Sequence, residues 1–470
     1  MTVTKPNILF LVIDSFRSDK CVGKNKTAIT PNINSLIKNG IYFQQNISSA
    51  FSTLLSTSSI LTGLYPFQAL RSDRKNMKIF SNTTTYIQLL RDFGYYTYAA
   101  IPNALEFWGL GKHFEDKFVP SHKELILSTG FGEKIIDQLN STEMREPWIM
   151  YVHALDLHEL GELPESFNDS KFGLNRYDQM LSSVDVWIGK ILQEVNLDKT
   201  IVILTGDHGS DEASYTPSMK FVNYYKKPLD FDVKVQKFVS NTFWFKPNLS
   251  TKLKLIRNVI GKCLRLPQSI LTIIRFAQIN RQKISIHEKR ILKHAIADAE
   301  EIYDNLIRVP LVFSGYNIPN EIVIENQTRL IDVFPTICDL IGLPPRNDKI
   351  HGRSLKPYFD GKTMDELPVR IESTPKWFAP TSKDQLGIRT SEYKYFRNRN
   401  NPKKDVCLFD LKVDDFEEKN IAKKYPNIVQ KMENILFMLD NDSTLKADFE
   451  DMDEGTKEKI ETELKKLGYI

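Results

Sequence analysis

Three short patterns in this chain hold the side chains that divalent cations favour. Asp14 ends the apolar run Asn7-Ile-Leu-Phe-Leu-Val-Ile13. His153, Asp156 and His158 form His153-Ala-Leu-Asp-Leu-His158, and Asp207 and His208 follow Ile201-Val-Ile-Leu204 within Gly206-Asp-His-Gly209. Carboxylate oxygen and neutral imidazole nitrogen suit Mn²⁺, Zn²⁺ or Mg²⁺. A lone strand-end Asp serves equally well as a helix cap or a solvated turn, so the weight lies in the joint occurrence. A fourth pattern adds hydroxyls: Phe51-Ser-Thr-Leu-Leu-Ser-Thr-Ser-Ser-Ile-Leu-Thr-Gly63. Ser52 or Thr53 at the start of such a helix either caps it or offers an oxygen that a divalent metal activates as a nucleophile. One residue can do both, at a helix end whose dipole favours an incoming anion.

These residues need a frame that brings them together. Apolar runs at Asn7–Ile13, Tyr96–Ile101, Trp148–His153, Ile201–Leu204 and Val309–Phe313 alternate with amphipathic segments at Ile33–Lys38, Thr85–Asp92 and Tyr177–Val195. Unbroken apolar strands between helices predict an α/β fold with a parallel sheet covered on both faces. In such sheets ligands gather beyond the carboxyl ends of the strands, where Asp14, the two histidines around Asp156 and Asp207-His208 fall. Beyond Pro344-Pro345 the texture changes to short strands at Leu386–Arg389, Tyr393–Arg397 and Val406–Leu411 and a helical stretch at Tyr425–Leu439, a small α+β subdomain. The organisation is therefore a catalytic domain over 1–345, a subdomain over 346–445 and a charged tail over 446–470.

Composition excludes several classes. With 470 residues, 41% hydrophobic and 26% charged, the chain has globular statistics, and its net charge of +4 is too slight to predict nucleic-acid binding. Cysteines at 21, 263, 338 and 407 show neither a disulfide framework nor zinc spacing. The first apolar run is too short and wrongly flanked for a signal peptide, and no stretch reaches the length of a spanning helix, so the expectation is a cytoplasmic protein. The basic signal is local. Within a segment over 210–293, residues 252–293 carry eleven Lys or Arg against the single acid Glu288, interleaved with Leu253, Ile256 and Ile260. This is either a pair of surface helices over the sheet or a basic amphipathic surface for a membrane or a polyanion.

Nine fragments in register resemble the sulfatase branch of the alkaline phosphatase superfamily. They are Pro6-Asn-Ile-Leu-Phe-Leu-Val-Ile-Asp14, Thr30-Pro-Asn-Ile-Asn34, the hydroxyl run through Leu61-Thr-Gly-Leu-Tyr-Pro66, His153-Ala-Leu-Asp-Leu-His158, Thr205-Gly-Asp-His-Gly209, Tyr303-Asp-Asn-Leu-Ile-Arg-Val-Pro-Leu311, Asp332-Val-Phe-Pro-Thr-Ile-Cys-Asp-Leu-Ile-Gly342, His351-Gly-Arg-Ser-Leu355 and Leu408-Phe-Asp-Leu411. The resemblance implies an alkaline phosphatase-like αβα sandwich with a mostly parallel sheet, and a divalent cofactor (Mn, Zn, Ca or Mg). Asp14, Thr53, Asp207 and His208 would hold the metal. His153 and His158 would contact the ester oxygens or serve as general acid, and Asp156 would add a ligand or orient an imidazole.

Familiar members carry a Cys at the position of Thr53 that becomes formylglycine. Here Thr53-Leu-Leu-Ser-Thr57 resembles the branch with an unmodified Thr nucleophile, so no formylglycine is expected. Three cations of the plain sulfatase pattern are also absent, at Thr57, Pro102-Asn103 and Ala299. The expectation is a metal-dependent hydrolase or phosphotransferase acting on an anionic sulfate or phosphate ester, with phosphodiester or phosphoryl transfer favoured. A non-catalytic relative that binds a polyanion or membrane surface through 252–293 is the alternative. His294 stands at the interval before Ile307 where relatives place a site histidine. Arg17 lies near Asp14 but has Asp19 as a ready partner. Arg353 and Lys394 are cations of the smaller domain with the reach to approach the site.

Overall fold

The computed structural model describes residues 5–23, 26–70, 79, 83–120, 124–158, 163–211, 276–297, 301–343, 350–373 and 384–441. The charged tail expected over 446–470 and most of the basic stretch lie outside them. Eight strands form the main sheet: β1 (Asn7–Ile13), β2 (Gly40–Ile47), β3 (Tyr96–Ala100), β4 (Asp116–Phe118), β5 (Trp148–Ala154), β6 (Thr200–Gly206), β7 (Arg308–Gly315) and β8 (Ile322–Arg329), in the order β4-β3-β5-β1-β6-β7-β2-β8.

The predicted α/β sandwich is the fold observed. β1 is central, wholly buried and parallel to both β5 and β6. Its side chains alternate between two cores, as a strand's period of two requires. Ile8, Phe10 and Val12 join one core with Leu54, Ile60 and Leu61 of the helix Thr53–Thr62, while Leu9, Leu11 and Ile13 join the other with Leu181, Val184 and Ile188 of the helix Arg176–Gln193. One expectation is corrected in detail: β7 runs antiparallel to β6 and β2. Its apolar run reports burial on both faces, which a strand of either direction can have.

A four-stranded antiparallel sheet of β9 (Val369–Glu372), β10 (Gln385–Arg389), β11 (Tyr393–Asn398) and β12 (Cys407–Asp410) follows. One face packs Val369, Ile371, Phe396 and Phe409 on Ile47, Leu306 and Ile307, and the other packs Leu386, Ile388 and Tyr395 on Met432 and Leu436 of the helix Pro426–Asn441. Buried cations tie it to the short helix Asp304–Ile307 that leads into β7. Arg389 reaches Asp304 at 2.7 Å, and Lys394 lies 3.0 Å from Asp304 and 2.9 Å from Glu417. Lys394 is thus a buried structural cation and does not reach over the site.

By internal contacts the chain divides into two compact units, Met1–Ala213 with Glu300–Ile470, and Ser214–Ala299. In the second, the helix Ile286–Ala297 carries Lys293, whose ammonium lies 5.8 Å from the centre of the Phe276 ring. His294 belongs to this helix, and its side chain lies outside the described residues. Among the described residues no helix is long and apolar enough to cross a membrane.

Candidate metal and ester site

The sheet register gathers the chemistry at one level. Ile13 pairs with Ala154 and with Gly206, so Asp14, His153 and Asp207 sit together at the carboxyl ends of β1, β5 and β6. Gly206 and Gly209 are glycines for steric reasons. A Cβ on Gly206 would lie 2.7 Å from the Phe16 carbonyl oxygen, and one on Gly209 would lie 2.2 Å from that of Asn305.

The hydroxyl run forms the buried helix Thr53–Thr62, closed by Gly63 in the left-handed conformation at φ 68°. Three of its hydroxyls bond back to the preceding turn: Ser56 Oγ donates to the Ser52 carbonyl at 2.6 Å, Ser58 Oγ to Leu55 at 2.7 Å and Thr62 Oγ1 to Ser58 at 2.6 Å. Thr53 differs. It is the first residue of the helix, and its Oγ1 lies 3.1 Å from Asp14 Oδ2 and 3.4 Å from His208 Nε2. Ser52 precedes it in extended conformation and its side chain makes no capping bond.

Around this hydroxyl two carboxylates and two imidazoles converge. His208 Nε2 is 3.5 Å from Asp207 Oδ2 and 3.8 Å from Asp14 Oδ1, and its Nδ1 lies 2.9 Å from the Gly209 carbonyl oxygen. His153 Nε2 is 3.7 Å from Asp14 Oδ2 and 3.9 Å from Asp207 Oδ2. Asp207 Oδ1 accepts from the Ser15 and His208 amides at 3.1 and 2.8 Å.

The electrostatics follow from this crowding. Burial opposes ionisation of Asp14, but the imidazoles of His158, His153 and His208 outweigh it and hold the carboxyl below the usual range. Burial, and then the Asp14 charge, push Asp207 above its ordinary value. Burial disfavours the His208 imidazolium, and Asp207 and Asp14 overcome it, raising its pKa.

The donor set fits a divalent cation. One ligand atom each from Asp14, His153 and Asp207 lies within 4.8 Å of the others. His153 Nε2 and Asp207 Oδ2 are buried with no hydrogen-bond partner among the described residues, an arrangement that is costly unless an ion satisfies them. Asp14, Thr53, Asp207 and His208 are therefore brought together. His153, expected at the ester oxygens, is placed inside the carboxylate pair, with its ring carried on β5 and its Nδ1 3.4 Å from the Tyr151 hydroxyl.

Asp156 bonds elsewhere, and Arg17 keeps the partner expected of it. Both oxygens of Asp156 accept from the Leu127 amide at 3.1 Å, and Leu155 N donates to the Leu125 carbonyl at 3.0 Å. Asp156 thus fastens the loop after β5 to the segment Leu125–Leu127, and burial pushes its carboxyl up to about 7. His158 is half-buried on that loop, and its charge acts on Asp14. Arg17 grips Asp19 with two bonds of 2.8 and 2.7 Å and donates to the Ser210 carbonyl at 3.0 Å, a structural pairing. Sequence reasoning missed Ser15 and Tyr177, which touch the carboxylates and the turn that carries them, because neither residue type signals such a role.

A family model described as Sulfatase matches residues 6–343. The chain belongs to the sulfatase family. As a sulfatase-family hydrolase it is similar to Arylsulfatase K of Gallus gallus, at 23% identity over 92% of this chain and 82% of the relative. Among solved structures, BT4656 in complex with its substrate D-glucosamine-2-N,6-O-disulfate aligns with a TM-score of 0.63 at 15% identity, covering 94% of this chain and 99% of that one. The phosphonate monoester hydrolase of Agrobacterium radiobacter aligns at 0.61 and 16% identity, covering 93% and 96%. At these identities the structural likeness speaks for the fold.

Proposed function

We propose that this sulfatase-family hydrolase cleaves an anionic phosphate ester by attack of an unmodified Thr53. The observation that carries the reading is the placement of Thr53 Oγ1, 3.1 Å from Asp14 Oδ2 and 3.4 Å from His208 Nε2 at the start of a helix. Asp14, Asp207 and His208, with His153 and Thr53 Oγ1, would hold a divalent cation, which when bound supplies the positive charge that lowers the hydroxyl's pKa and offsets the anionic ester. Asp14 orients the Thr53 hydroxyl by accepting its hydrogen bond. The Thr53 hydroxyl gives up its proton to solvent, and its oxygen forms a bond to phosphorus as the bond to the leaving oxygen breaks and His158 gives that oxygen its proton. Water then attacks phosphorus and gives its proton to His158, and Thr53 is released and regains its own proton from solvent.

The identity of residue 53 favours phosphorus over sulfur. A formylglycine hydrate has a second hydroxyl on the same carbon, which can expel the bound group as an aldehyde re-forms. Thr53 is a secondary alcohol with one hydroxyl, so its ester must be resolved by attack at the central atom, a route open to phosphate through in-line displacement. A sulfate ester is the second reading, favoured by the arylsulfatase relatives and the disulfated substrate of BT4656. The catalytic residues lie in the proposed domain over 1–345, on which the proposed subdomain over 346–445 packs.

The test is turnover of matched aryl sulfate, phosphomonoester and phosphodiester substrates by metal-stripped protein, with Mn²⁺, Zn²⁺, Ca²⁺ or Mg²⁺ restored, beside Thr53→Ala. Metal-dependent phosphoester cleavage that disappears in the variant is the expected result. Sulfate cleavage that disappears in it supports the second reading, and cleavage that survives in it removes Thr53 from the mechanism. A protein with no turnover and no stoichiometric metal would instead be one that only binds polyanions or membranes through 252–293.

A further inference from the structure

Ser15, the neighbour of Asp14, has φ of 64°, in the left-handed region that residues other than Gly, Asn and Asp seldom adopt. This conformation lets one residue bridge both buried carboxylates. The Ser15 amide donates to Asp207 Oδ1 at 3.1 Å, and its Oγ donates to Asp14 Oδ1 at 2.8 Å. Asp14 Oδ2 then faces Thr53 Oγ1, and Asp207 Oδ2 is left toward the imidazoles of His208 and His153 at 3.5 and 3.9 Å.

The turn is held from across the layer. The buried Tyr177 hydroxyl donates to the Ser15 carbonyl at 2.8 Å and accepts from the Arg17 amide at 3.1 Å, closing Ser15-Phe16-Arg17 from both ends. Tyr177 stands in the first turn of the helix Arg176–Gln193, whose start is fixed by Asn175, its side-chain oxygen accepting from the Asp178 amide at 2.8 Å. The phenol therefore comes from a capped, packed element, and both of its bonds fall on backbone atoms of the turn that carries the carboxylate bridge.

We infer that Tyr177 is a positioning residue for the cation-binding pair: it holds Ser15 at positive φ and, through Ser15, sets Asp14 and Asp207 in their mutual orientation. The inference rests on the reading of this centre as a divalent metal site. A phenol that merely filled the core would share its burial but would have no dependence on the conformation of residue 15.

That difference is the test. Tyr177→Phe keeps the ring and removes the oxygen, whereas Ser15→Gly accepts positive φ at no steric cost and makes the clamp dispensable. Mn²⁺ dissociation constants are measured by titration calorimetry on the full chain for wild type, both single variants and the double variant. Tyr177→Phe is expected to weaken Mn²⁺ binding by about tenfold in the wild-type background. In the Ser15→Gly background the same change is expected to matter by less than about twofold. An equal loss in both backgrounds, or none in either, overturns the inference while leaving the metal site intact. Wild type that binds no Mn²⁺ overturns it together with the metal reading. If Tyr177→Phe alone fails to fold, a folded, Mn²⁺-binding double variant supports the inference, and a double variant that also fails counts against it.

Discussion

Replacing Asp207 by Asn should reverse the order of stability between metal-free and metal-loaded protein. The amide keeps the Oδ1 acceptor for the Ser15 and His208 amides and alters only the Oδ2 position, which has no hydrogen-bond partner among the described residues. At an effective dielectric of about 20, unit charges about 4.8 Å apart, the outer span of the ligand atoms, repel by about 3.5 kcal/mol. The imidazoles offset part of this, leaving about 2 kcal/mol by which the metal-free variant should exceed wild type near pH 8. Because burial and Asp14 raise the Asp207 pKa, its contribution to folding is present below the unfolded value and is lost as pH rises through the folded one. The gap should therefore close in acid. Metal at 1,000 times its dissociation constant adds about 4.1 kcal/mol to wild type. A variant binding about 100-fold more weakly gains about 1.4 kcal/mol under the same conditions, so wild type overtakes it. Denaturant unfolding in chelator and in saturating Mn²⁺ measures both orders. A variant less stable than wild type in chelator, or one gaining as much from Mn²⁺, would refute the reasoning.

Two further perturbations probe the supports. Asp156 has its carboxyl pushed from 3.8 to about 7 by burial, so the proton it holds stabilises the fold below the lower value and is released as pH rises through the upper one. Wild type should lose up to about 4 kcal/mol across that range, and Asp156→Asn, which keeps an acceptor for the Leu127 amide, should show a flatter pH profile in urea unfolding. Arg389→Ala takes the 2.7 Å partner from the Asp304 carboxylate and leaves Lys394 at 3.0 Å. It should cost about 3 kcal/mol, read as a lower denaturation midpoint, and a neutral result would mean that the Arg389–Asp304 pair adds nothing to the stability of the joint.

The legible parts of the fold are those whose signal is local. β1 is legible because its buried residues 8–13 form an apolar run with no polar interruption. β2 and β8 escape because Gln44, Gln45 and Asn46 break one and Glu325, Asn326 and Gln327 the other, although neighbouring strands still pair with them. Asp14, Thr53, Asp207 and His208 are legible because strand ends and a helix start place them whatever the details. The place of His153 is not, since its direction depends on the register of β5 against β1. Ser15 and Tyr177 are not either. A Gly or Asn would signal positive φ, but Ser does not, and a helix-borne Tyr reads as core.

The central claim is that Thr53 carries the substrate's phosphoryl group through a covalent ester. Its most direct test is rapid acid quenching during turnover of an activated phosphoester, followed by peptide mapping by mass spectrometry on wild type and Thr53→Ala. The account predicts a phosphoryl adduct on Thr53 that forms only with divalent metal and is absent from the variant. An adduct on another side chain, or undiminished turnover by Thr53→Ala, would contradict it.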